Sequence, residues 1–186
     1  MRVITGSARG RKLITLEGDD VRPTTEKVKE ALFSIIQFEI EGRRVLDLFA
    51  GSGQLGIEAL SRGAKDAVFV DSSKKSVEVV RQNLKNTGFE KSAVVLNADS
   101  LSFIRTRAEK YDIAFLDPPY RTGLLQKALD TVPRIMIDSG IIVAECPYDE
   151  EFPEKAGGFC KTKEYKYGKI KLAIYRKDTD EQERGA

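Results

Sequence analysis

The sequence predicts an α/β protein with a doubly wound, mostly parallel sheet, and three observations support this. Short apolar segments alternate with helical patterns from residue 45 to residue 145. A glycine-rich turn follows the first of these segments, as it does where a strand leads into a nucleotide-binding helix. The last two segments alternate polar and apolar residues around Gly168, which is typical of an antiparallel hairpin. Such alternation of strands and helices places helices on both faces of a parallel sheet.

Composition limits the class of protein. The 186 residues suit one domain, and 41% hydrophobic and 32% charged residues fit a globular chain. The net charge is only +2, so affinity for a polyanion must come from local clusters of cations. No apolar run approaches the ~20 residues of a membrane span, and the first residues lack the apolar core of a signal peptide. We therefore expect a cytoplasmic protein without a membrane partner.

Histidine and cysteine are scarce in the sequence. There is no histidine, and Cys146 and Cys160 are the two cysteines. This excludes a Cys/His zinc site and any catalytic triad that needs imidazole. No metal is expected, and buried structural thiols are the better interpretation of both cysteines.

Residues 1–24 form a basic extension in the sequence. Four basic residues precede the first acid, Glu17: Arg2, Arg9, Arg11 and Lys12. Gly6 and Gly10 interrupt them, which suggests a short strand pair or a flexible loop that presents cations. Charge alone would favour a solubilising terminus, because basic chain ends are common.

Apolar spacing defines the elements that follow. Apolar residues three and four positions apart between Val28 and Ile36 predict a helix, which a preceding threonine can cap. Further helices are predicted after residues 53, 73, 100 and 123. The seven predicted strands are 45–49, 67–70, 93–96, 113–116, 140–145, 162–167 and 169–176. The polar residues 178–186 are expected to be a frayed tail.

The turn after the first strand predicts a cofactor with an adenosine group. Gly51, Gly53 and Gly56 match G-x-G-x-x-G between a strand and a helix, and Asp71 follows Gly51 by twenty residues. Glycines let any such cofactor approach the backbone, and an acid after the second strand suits the ribose hydroxyls of either S-adenosylmethionine or a nicotinamide dinucleotide.

Two features favour S-adenosylmethionine. Asp47 lies four residues before Gly51, where a carboxylate would repel pyrophosphate but can face the ammonium of S-adenosylmethionine. The sequence also has little room after the fifth strand for the second domain that many dehydrogenases carry. Asp99, after the third strand, can then accept a hydrogen bond from the adenine amino group, although a solvated loop acid would look the same.

The fourth strand carries the predicted chemistry. Its apolar residues Ile113–Leu116 run directly into Asp117-Pro118-Pro119-Tyr120. Prolines donate no ladder hydrogen bond and fix their own φ, so the strand stops there on a stiff backbone. An acid, a carbonyl and an aromatic ring are thus expected at the carboxyl end of a strand, where open α/β sheets bind ligands.

The motifs resemble those of a known family. The pattern Asp47-x-Phe49-x-Gly51-x-Gly53, followed by Asp71, Asp99 and Asp117-Pro118-Pro119-Tyr120, looks like a class I methyltransferase acting on an exocyclic amine. With Gly6-x-x-Arg9-Gly10-Arg11-Lys12-Leu13 and Arg22-Pro23-Thr24-Thr25 added, the chain resembles the RsmD family almost throughout. Those enzymes are bacterial guanine-N2 methyltransferases of small-subunit (16S) ribosomal RNA. Lys27, Lys29 and Gln54 depart from the usual pattern, which puts some RNA contacts in doubt.

The resemblance implies a fold and a partner. The fold is a seven-stranded Rossmann-like methyltransferase sheet with a C-terminal antiparallel hairpin. Residues 1–24 would be an RNA-contacting extension, 25–177 the methyltransferase domain and 178–186 the tail. The partner would be small-subunit ribosomal RNA or its assembling particle. Apart from the resemblance, we expect a monomer.

Resemblance and residue arguments together predict the site. The catalytic residues would be Asp117, Pro118, Pro119 and Tyr120. The S-adenosylmethionine-binding residues would be Asp47, Phe49, Gly51, Gly53, Asp71, Ser72, Asp99 and Thr24. The RNA-binding residues would be Arg9, Arg11, Lys12 and Arg22, whereas the hairpin lysines Lys161, Lys163 and Lys166 better fit a solvated face.

Several functions stay open on the sequence. Asp117 and the Pro118 carbonyl can hold the amine that attacks the methyl group, with Tyr120 stacked on an unstacked base. The same motif serves adenine N6, so an adenine-N6 methyltransferase on DNA or RNA is the nearest alternative. A small nicotinamide-dependent reductase and a catalytically silent RNA-binding module are alternatives of other classes. A protein-glutamine methyltransferase is disfavoured, because that chemistry generally goes with Asn in place of Asp117.

Overall fold

The structure is a computed structural model, and it describes residues 1–16 and 26–177. Its α-helices in this part of the chain are α1 (Glu26–Ile35), α2 (Gln54–Ser61), α3 (Lys74–Thr87), α4 (Ser100–Thr106) and α5 (Leu124–Thr131). Short 3₁₀ helices span Gln37–Glu39, Glu90–Ser92 and Val132–Ile135. The strands are β1 (Arg44–Asp47), β2 (Asp66–Asp71), β3 (Ala93–Asn97), β4 (Tyr111–Leu116), β5 (Met136–Pro147), β6 (Lys155–Ala156), β7 (Phe159–Tyr167) and β8 (Ile170–Lys177).

All of these strands form one sheet in the order β3-β2-β1-β4-β5-β8-β7-β6. Strands β1 to β5 pair in parallel, and β8, β7 and β6 add antiparallel pairs at one side. The predicted parallel core and C-terminal antiparallel hairpin are therefore confirmed. The predicted count of seven strands is one short, because β6 has two residues and too short a run for periodicity to show.

Strand β5 is longer than its predicted span of 140–145. It runs from Met136 to Pro147 and pairs with both β4 and β8. The prediction missed the first half of this strand because it relied on an unbroken apolar run, and the polar residues Asp138 and Ser139 interrupt that run. The ladder with β8 carries its second half as far as the Pro147–Ile170 pair.

Hydrophobic side chains cover both faces of the sheet. One cluster joins the amino-terminal segment and helices α1, α2 and α3 to the sheet, and within it the rings of Phe33 and Phe115 lie 5.5 Å apart. The other cluster packs α4 and α5 on the opposite face, with Phe103 and Leu129 buried. This two-sided burial explains why the parallel strands read as continuous apolar runs.

Residues 1–16 pack against the first of these clusters. An antiparallel bridge joins Arg2 to Lys12, and Val3 and Leu13 are buried. Gly6 has a φ of +89°, and a Cβ atom there would lie 1.8 Å from the carbonyl oxygen of Ser61. Only glycine therefore fits this contact with the end of α2.

Several predictions fall on residues that the structure does not describe. They are the roles of Arg22 and Thr24, the threonine cap before α1 and the tail 178–186. In the described ranges, no helix has the length and hydropathy needed to cross a membrane. Nor do those ranges contain three or more Asp, Glu or Cys side chains grouped so that they could hold a metal ion.

Candidate active site

The site lies where the strand order reverses. Strand β1 sits between β2 and β4, so the chain leaves β1 on one side and returns as β4 on the other. The turns after β1 and β4 consequently start side by side, and just before them the Leu48 N–H donates to the Phe115 carbonyl at 3.2 Å. In open α/β sheets, ligands bind in the crevice at such a reversal of strand order.

The glycine turn after β1 has the backbone that the motif predicts. Gly51 and Gly53 have φ values of +54° and +77°, and Gly53 caps α2. A Cβ atom added at Gly51 would have no neighbour within 4 Å, so the turn faces open space. At Gly56 a Cβ atom would lie 2.3 Å from Cε1 of Phe69, so this glycine lets α2 pack closely on β2.

Asp71 braces this turn from the end of β2. Its Oδ2 accepts a hydrogen bond from the Gly51 N–H and its Oδ1 accepts one from the Ser73 N–H, both at 2.8 Å. The amide of Asn97 donates to the carbonyls of Asp71 and Ser72. The half-exposed Asp71 carboxylate keeps a second lone pair on each oxygen, so it can also accept ligand hydroxyls.

Asp47, at the end of β1, lies beneath the turn. Its carboxylate is 2% exposed and its Oδ2 accepts the Gly56 N–H at 2.9 Å. Burial raises the pKa of Asp47 to about 7, and the charge of Asp71 adds to that rise. A cation placed beside this carboxyl would favour its ionised form.

Phe49 and Asp99 lie on the side of the sheet that carries α4. Phe49 is partly buried against the hydrophobic cluster there. Asp99 is exposed and caps α4 by accepting the Ser102 N–H at 2.8 Å, and this hydrogen bond lowers the pKa of Asp99. The structure thus brings Asp47, Gly51, Gly53 and Asp71 together and leaves Asp99 at the neighbouring end of β3.

The turn after β4 holds the second half of the site. Asp117 is half-buried, Pro118 buried and Pro119 exposed. The Tyr120 hydroxyl donates to Oε1 of Glu145, on β5, at 2.7 Å. Desolvation and the Glu145 charge both raise the pKa of Tyr120, so its phenol stays a hydrogen-bond donor.

Arg121 holds the same turn from its other end. It has a φ of +60°, a left-handed conformation that is uncommon for a residue with a side chain. Its N–H donates to Glu150 Oε1 at 3.0 Å, and its guanidinium contacts Asp149 Oδ2 at 2.8 Å. The segment after β5 therefore keeps the backbone in this conformation.

The predicted RNA-binding cations that lie in the described part of the chain are placed elsewhere. Arg9, Arg11 and Lys12 are exposed, and the turn that carries Arg9 packs against Ser61, at the carboxyl end of α2. The glycine turn lies at the other end of that eight-residue helix, about 12 Å away. The structure therefore does not bring the Arg9 turn next to Asp117.

Glu58 on α2 is a residue that sequence reasoning missed. It is fully buried and accepts the N–H groups of Ile4 and Thr5 at 2.8 and 3.0 Å. It also forms ion pairs with Lys29 Nζ at 3.4 Å and Arg62 Nε at 2.9 Å. The available signal was that Glu58 is the one charged residue of the mostly apolar helix α2.

Asn83 on α3 was missed as well. Its Oδ1 accepts the Ile14 N–H at 2.8 Å, and its Nδ2 donates to the carbonyls of Ile14 and Ser52 at 2.9 Å each. Ser52 lies between the two glycines of the turn. One buried amide therefore joins the amino-terminal segment to the candidate cofactor site.

The sheet order, the glycine turn at the switch point and the acid after β2 define the fold of class I methyltransferases. A family model described as conserved hypothetical protein 95 matches residues 1–176, and the chain belongs to that family. The predicted RsmD membership is confirmed: ribosomal RNA small subunit methyltransferase D of Escherichia coli K12 is 32% identical over 182 residues, which cover 96% of this chain and 90% of that protein.

Two further comparisons agree. YlbH of Bacillus subtilis 168 is 42% identical over 182 residues, covering 95% of this chain and 99% of that protein. The solved structure of yhhF from Escherichia coli has a TM-score of 0.85 at 32% identity and covers 96% of this chain and 98% of that chain. The similarity thus extends over nearly the full length of each protein.

Proposed function

We propose that this protein transfers the methyl group of S-adenosylmethionine to the exocyclic N2 amine of a guanine in small-subunit ribosomal RNA. One observation carries the proposal: Asp117-Pro118-Pro119-Tyr120 follows β4 directly beside the glycine turn that follows β1. Methyl transfer needs a donor pocket and an amine-holding group within contact of each other. The two adjacent turns supply this arrangement.

The residues around the glycine turn fit S-adenosylmethionine. The open space at Gly51 admits a ligand close to the backbone, and the lone pairs of Asp71 suit ribose hydroxyls. In this proposal Asp47 faces the ammonium, Asp99 accepts from the adenine amino group, and Phe49 and Ser72 complete the pocket with Thr24. When bound, S-adenosylmethionine supplies a methyl group activated by its sulfonium sulfur.

Asp117 and the Pro118 carbonyl act on the amine. The lone pair of a guanine amine is delocalised into the ring, so the amine is a poor nucleophile. Two acceptors that take its N–H groups hold the nitrogen in place and draw it towards tetrahedral geometry. They also stabilise the positive charge that develops on it, which is the main electrostatic contribution. The methylated nitrogen is strongly acidic and loses its proton without a potent base.

The RNA contacts divide between stacking and charge. Tyr120 stacks on the target base after the base has left its helix, as enzymes that modify bases require. Arg9, Arg11, Lys12 and Arg22 of the extension 1–24 contact phosphates, while 25–177 carry out the reaction. The Arg9 turn contacts RNA at a distance from the target base, because it lies at the far end of α2. Every group in this scheme comes from one chain, so a monomer suffices. The proposed ribosomal RNA substrate places that monomer in the cytoplasm.

The names of the relatives favour ribosomal RNA over other acceptors, since Escherichia coli methyltransferase D is named for the small ribosomal subunit. The buried Asp47 disfavours the nicotinamide alternative, because a carboxylate under the turn would repel a pyrophosphate. Guanine is preferred to adenine on the resemblance to the RsmD family.

The test is mass mapping of methylated nucleotides. Small-subunit RNA and assembled subunits from cells lacking the enzyme are incubated with the protein and S-adenosylmethionine. The expected result is one guanine methylated at N2. Methylation of adenine N6 would contradict the choice of base. Calorimetric binding of NADPH in place of S-adenosylmethionine would contradict the reaction itself.

A further inference from the structure

We infer that Glu145 is a positioning residue for methyl transfer, which acts by fixing the ring of Tyr120 through its hydroxyl group. The inference rests on the proposed function, because it assigns Tyr120 to the target base. It adds a residue that lies on a different strand from the motif Asp117-Pro118-Pro119-Tyr120. Neither that motif nor the family resemblance includes Glu145.

The sheet places Glu145 beside Asp117-Pro118-Pro119-Tyr120, which we call the acceptor turn. Phe115 pairs with Val143 and Leu116 with Ala144 in the parallel ladder of β4 and β5. Asp117 and Glu145 therefore follow at corresponding positions of adjacent strands. On its other side, Glu145 pairs with the buried Leu172 of β8.

The hydrogen bond to Tyr120 is a strong one. Its length is 2.7 Å, and a carboxylate that is 4% exposed accepts it from a phenol. Hydrogen bonds to an ionised group are about twice as strong as neutral ones. A buried carboxylate is also costly without donors, so breaking this bond is unfavourable for both partners.

The same segment of chain holds the residue after Tyr120. Glu150 accepts the Arg121 N–H, and Asp149 contacts the Arg121 guanidinium. Pro118 and Pro119 stiffen the backbone before the ring. With the backbone fixed on both sides, rotation of the tyrosine side chain is the freedom that remains, and the hydroxyl bond to Glu145 removes it.

A fixed ring sets where a stacked base lies relative to Asp117. Small errors in that position are costly for transfer, because the reacting atoms must be about 3 Å apart and aligned. Glu145 thereby controls turnover through Tyr120 and is not itself a catalytic residue.

The experiment is a double-mutant cycle measured on the full-length protein with small-subunit RNA. Tyr120→Phe removes the hydroxyl and keeps the ring, and Glu145→Ala removes the acceptor. Each is expected to lower kcat on the order of tenfold, the value of one such hydrogen bond. The double variant should be no slower than either single variant. Affinity for S-adenosylmethionine, measured by calorimetry, should stay unchanged in all three.

Two further variants separate positioning from simple structural support. Glu145→Gln keeps an amide oxygen that can accept the hydroxyl, so it should restore most of kcat. Tyr148→Phe is the matched control, since Tyr148 is 59% exposed and belongs to no part of the site, and it should behave as wild type. If Glu145→Ala fails to fold, Tyr120→Phe still removes the hydrogen bond, and adding Glu145→Gln to Tyr120→Phe should lower kcat no further.

Three results would overturn the inference. One is full activity of Tyr120→Phe, and another is a further loss when Glu145→Ala is added to Tyr120→Phe. The third is a Glu145→Ala variant whose melting temperature falls while its kcat and KM stay unchanged. Absence of methyl transfer by the wild-type protein would instead overturn the proposed function, and it is read before any variant is compared.

Discussion

The carboxylate of Asp47, at the end of β1, accepts a hydrogen bond from the backbone N–H of Gly56 in α2 at 2.9 Å. This contact ties the last residue of the strand to the helix that follows the glycine turn. The carboxyl group is almost completely buried, and its pKa is raised to about 7. Because Asp47 lies beneath the glycine turn, this pKa should affect both cofactor binding and the free energy of unfolding.

Binding of S-adenosylmethionine should release a proton from Asp47. Between pH 6 and pH 8 the ionised fraction of a group with this pKa rises roughly tenfold. In the proposed site the ligand ammonium faces this carboxylate and favours its ionised form, so affinity should rise by about the same factor over this range. Calorimetry in buffers of different ionisation enthalpy measures the proton directly. Asp47→Asn controls for titration of the ligand, and an unchanged pH profile in that variant would contradict the assignment.

Stability should depend on pH through the same residue. Folding raises the pKa of Asp47 above the ~3.9 of an unfolded aspartate, so the folded protein binds more protons between about pH 4 and pH 7. Its contribution to the free energy of unfolding is therefore present at low pH and is lost as the pH rises through 7. Denaturant titrations of wild type and Asp47→Asn at pH 5 and pH 8 test this. The difference between the two proteins should change with pH, and a constant difference would refute it.

Asp117→Ala should nearly abolish turnover and leave cofactor affinity largely intact. In the proposed mechanism this carboxylate stabilises charge that develops on the attacking nitrogen, and loss of one such group costs about 10²–10³ in kcat. Transfer of a labelled methyl group to RNA measures the rate, and calorimetry measures affinity. Asp112→Ala serves as the control on the same strand, since Asp112 lies at the opposite end of β4, beside Arg43. A variant of Asp117 that kept most of its activity would remove the acid from the mechanism.

Gly51→Ala should mainly weaken cofactor binding, whereas Gly56→Ala should mainly weaken folding. At Gly51 the added methyl group enters the open space at the glycine turn, so affinity for S-adenosylmethionine should fall. The free energy of unfolding should fall by about 1–2 kcal/mol because of the positive φ, and the loss of binding free energy should be larger. At Gly56 the methyl group meets the Phe69 ring, so unfolding should cost about 1–3 kcal/mol less. Gly88→Ala, also at positive φ with open space around it, controls for backbone strain alone. Equal losses of affinity at Gly51 and Gly88 would contradict this view of the turn.

Asn83→Ala should weaken both folding and cofactor binding. It leaves the Ile14 and Ser52 backbone groups without their amide partner, at a cost of about 1–3 kcal/mol. Since Ser52 belongs to the glycine turn, affinity for S-adenosylmethionine should fall at a temperature where the variant is still folded. Asn86→Ala changes an exposed residue one turn along the same helix and should alter neither quantity. Unchanged affinity in folded Asn83→Ala would limit this residue to a structural role.

The residues that the sequence placed correctly share local signals. The strands of the parallel core appeared as apolar runs, and the positive φ values at Gly51 and Gly53 follow from a motif with a known backbone. Helix α3 carries apolar residues at helical spacing and begins where that spacing predicts, with Ser73 as its N-cap. Each of these features depends on residues within a few positions of one another.

The residues that were missed depend on distant partners. Glu58 contacts residues 53 and 54 positions away, Asn83 contacts one 69 positions away, and the Tyr120 hydroxyl reaches Glu145 across 25. Nothing near such a residue in sequence indicates which backbone group it will meet. The Arg9 turn shows the same limit, since its placement at the far end of α2 follows from the contact at Ser61.

The geometry of the acceptor turn depends on contacts outside its own four residues. Arg121 keeps its left-handed backbone because Glu150 and Asp149 hold it, and Tyr120 depends on Glu145. A tetrapeptide grafted from this protein into another parallel sheet would therefore bring the composition of the motif without its shape. Transplantation would require the three acids of the adjacent strand and its exit to move with it as one unit.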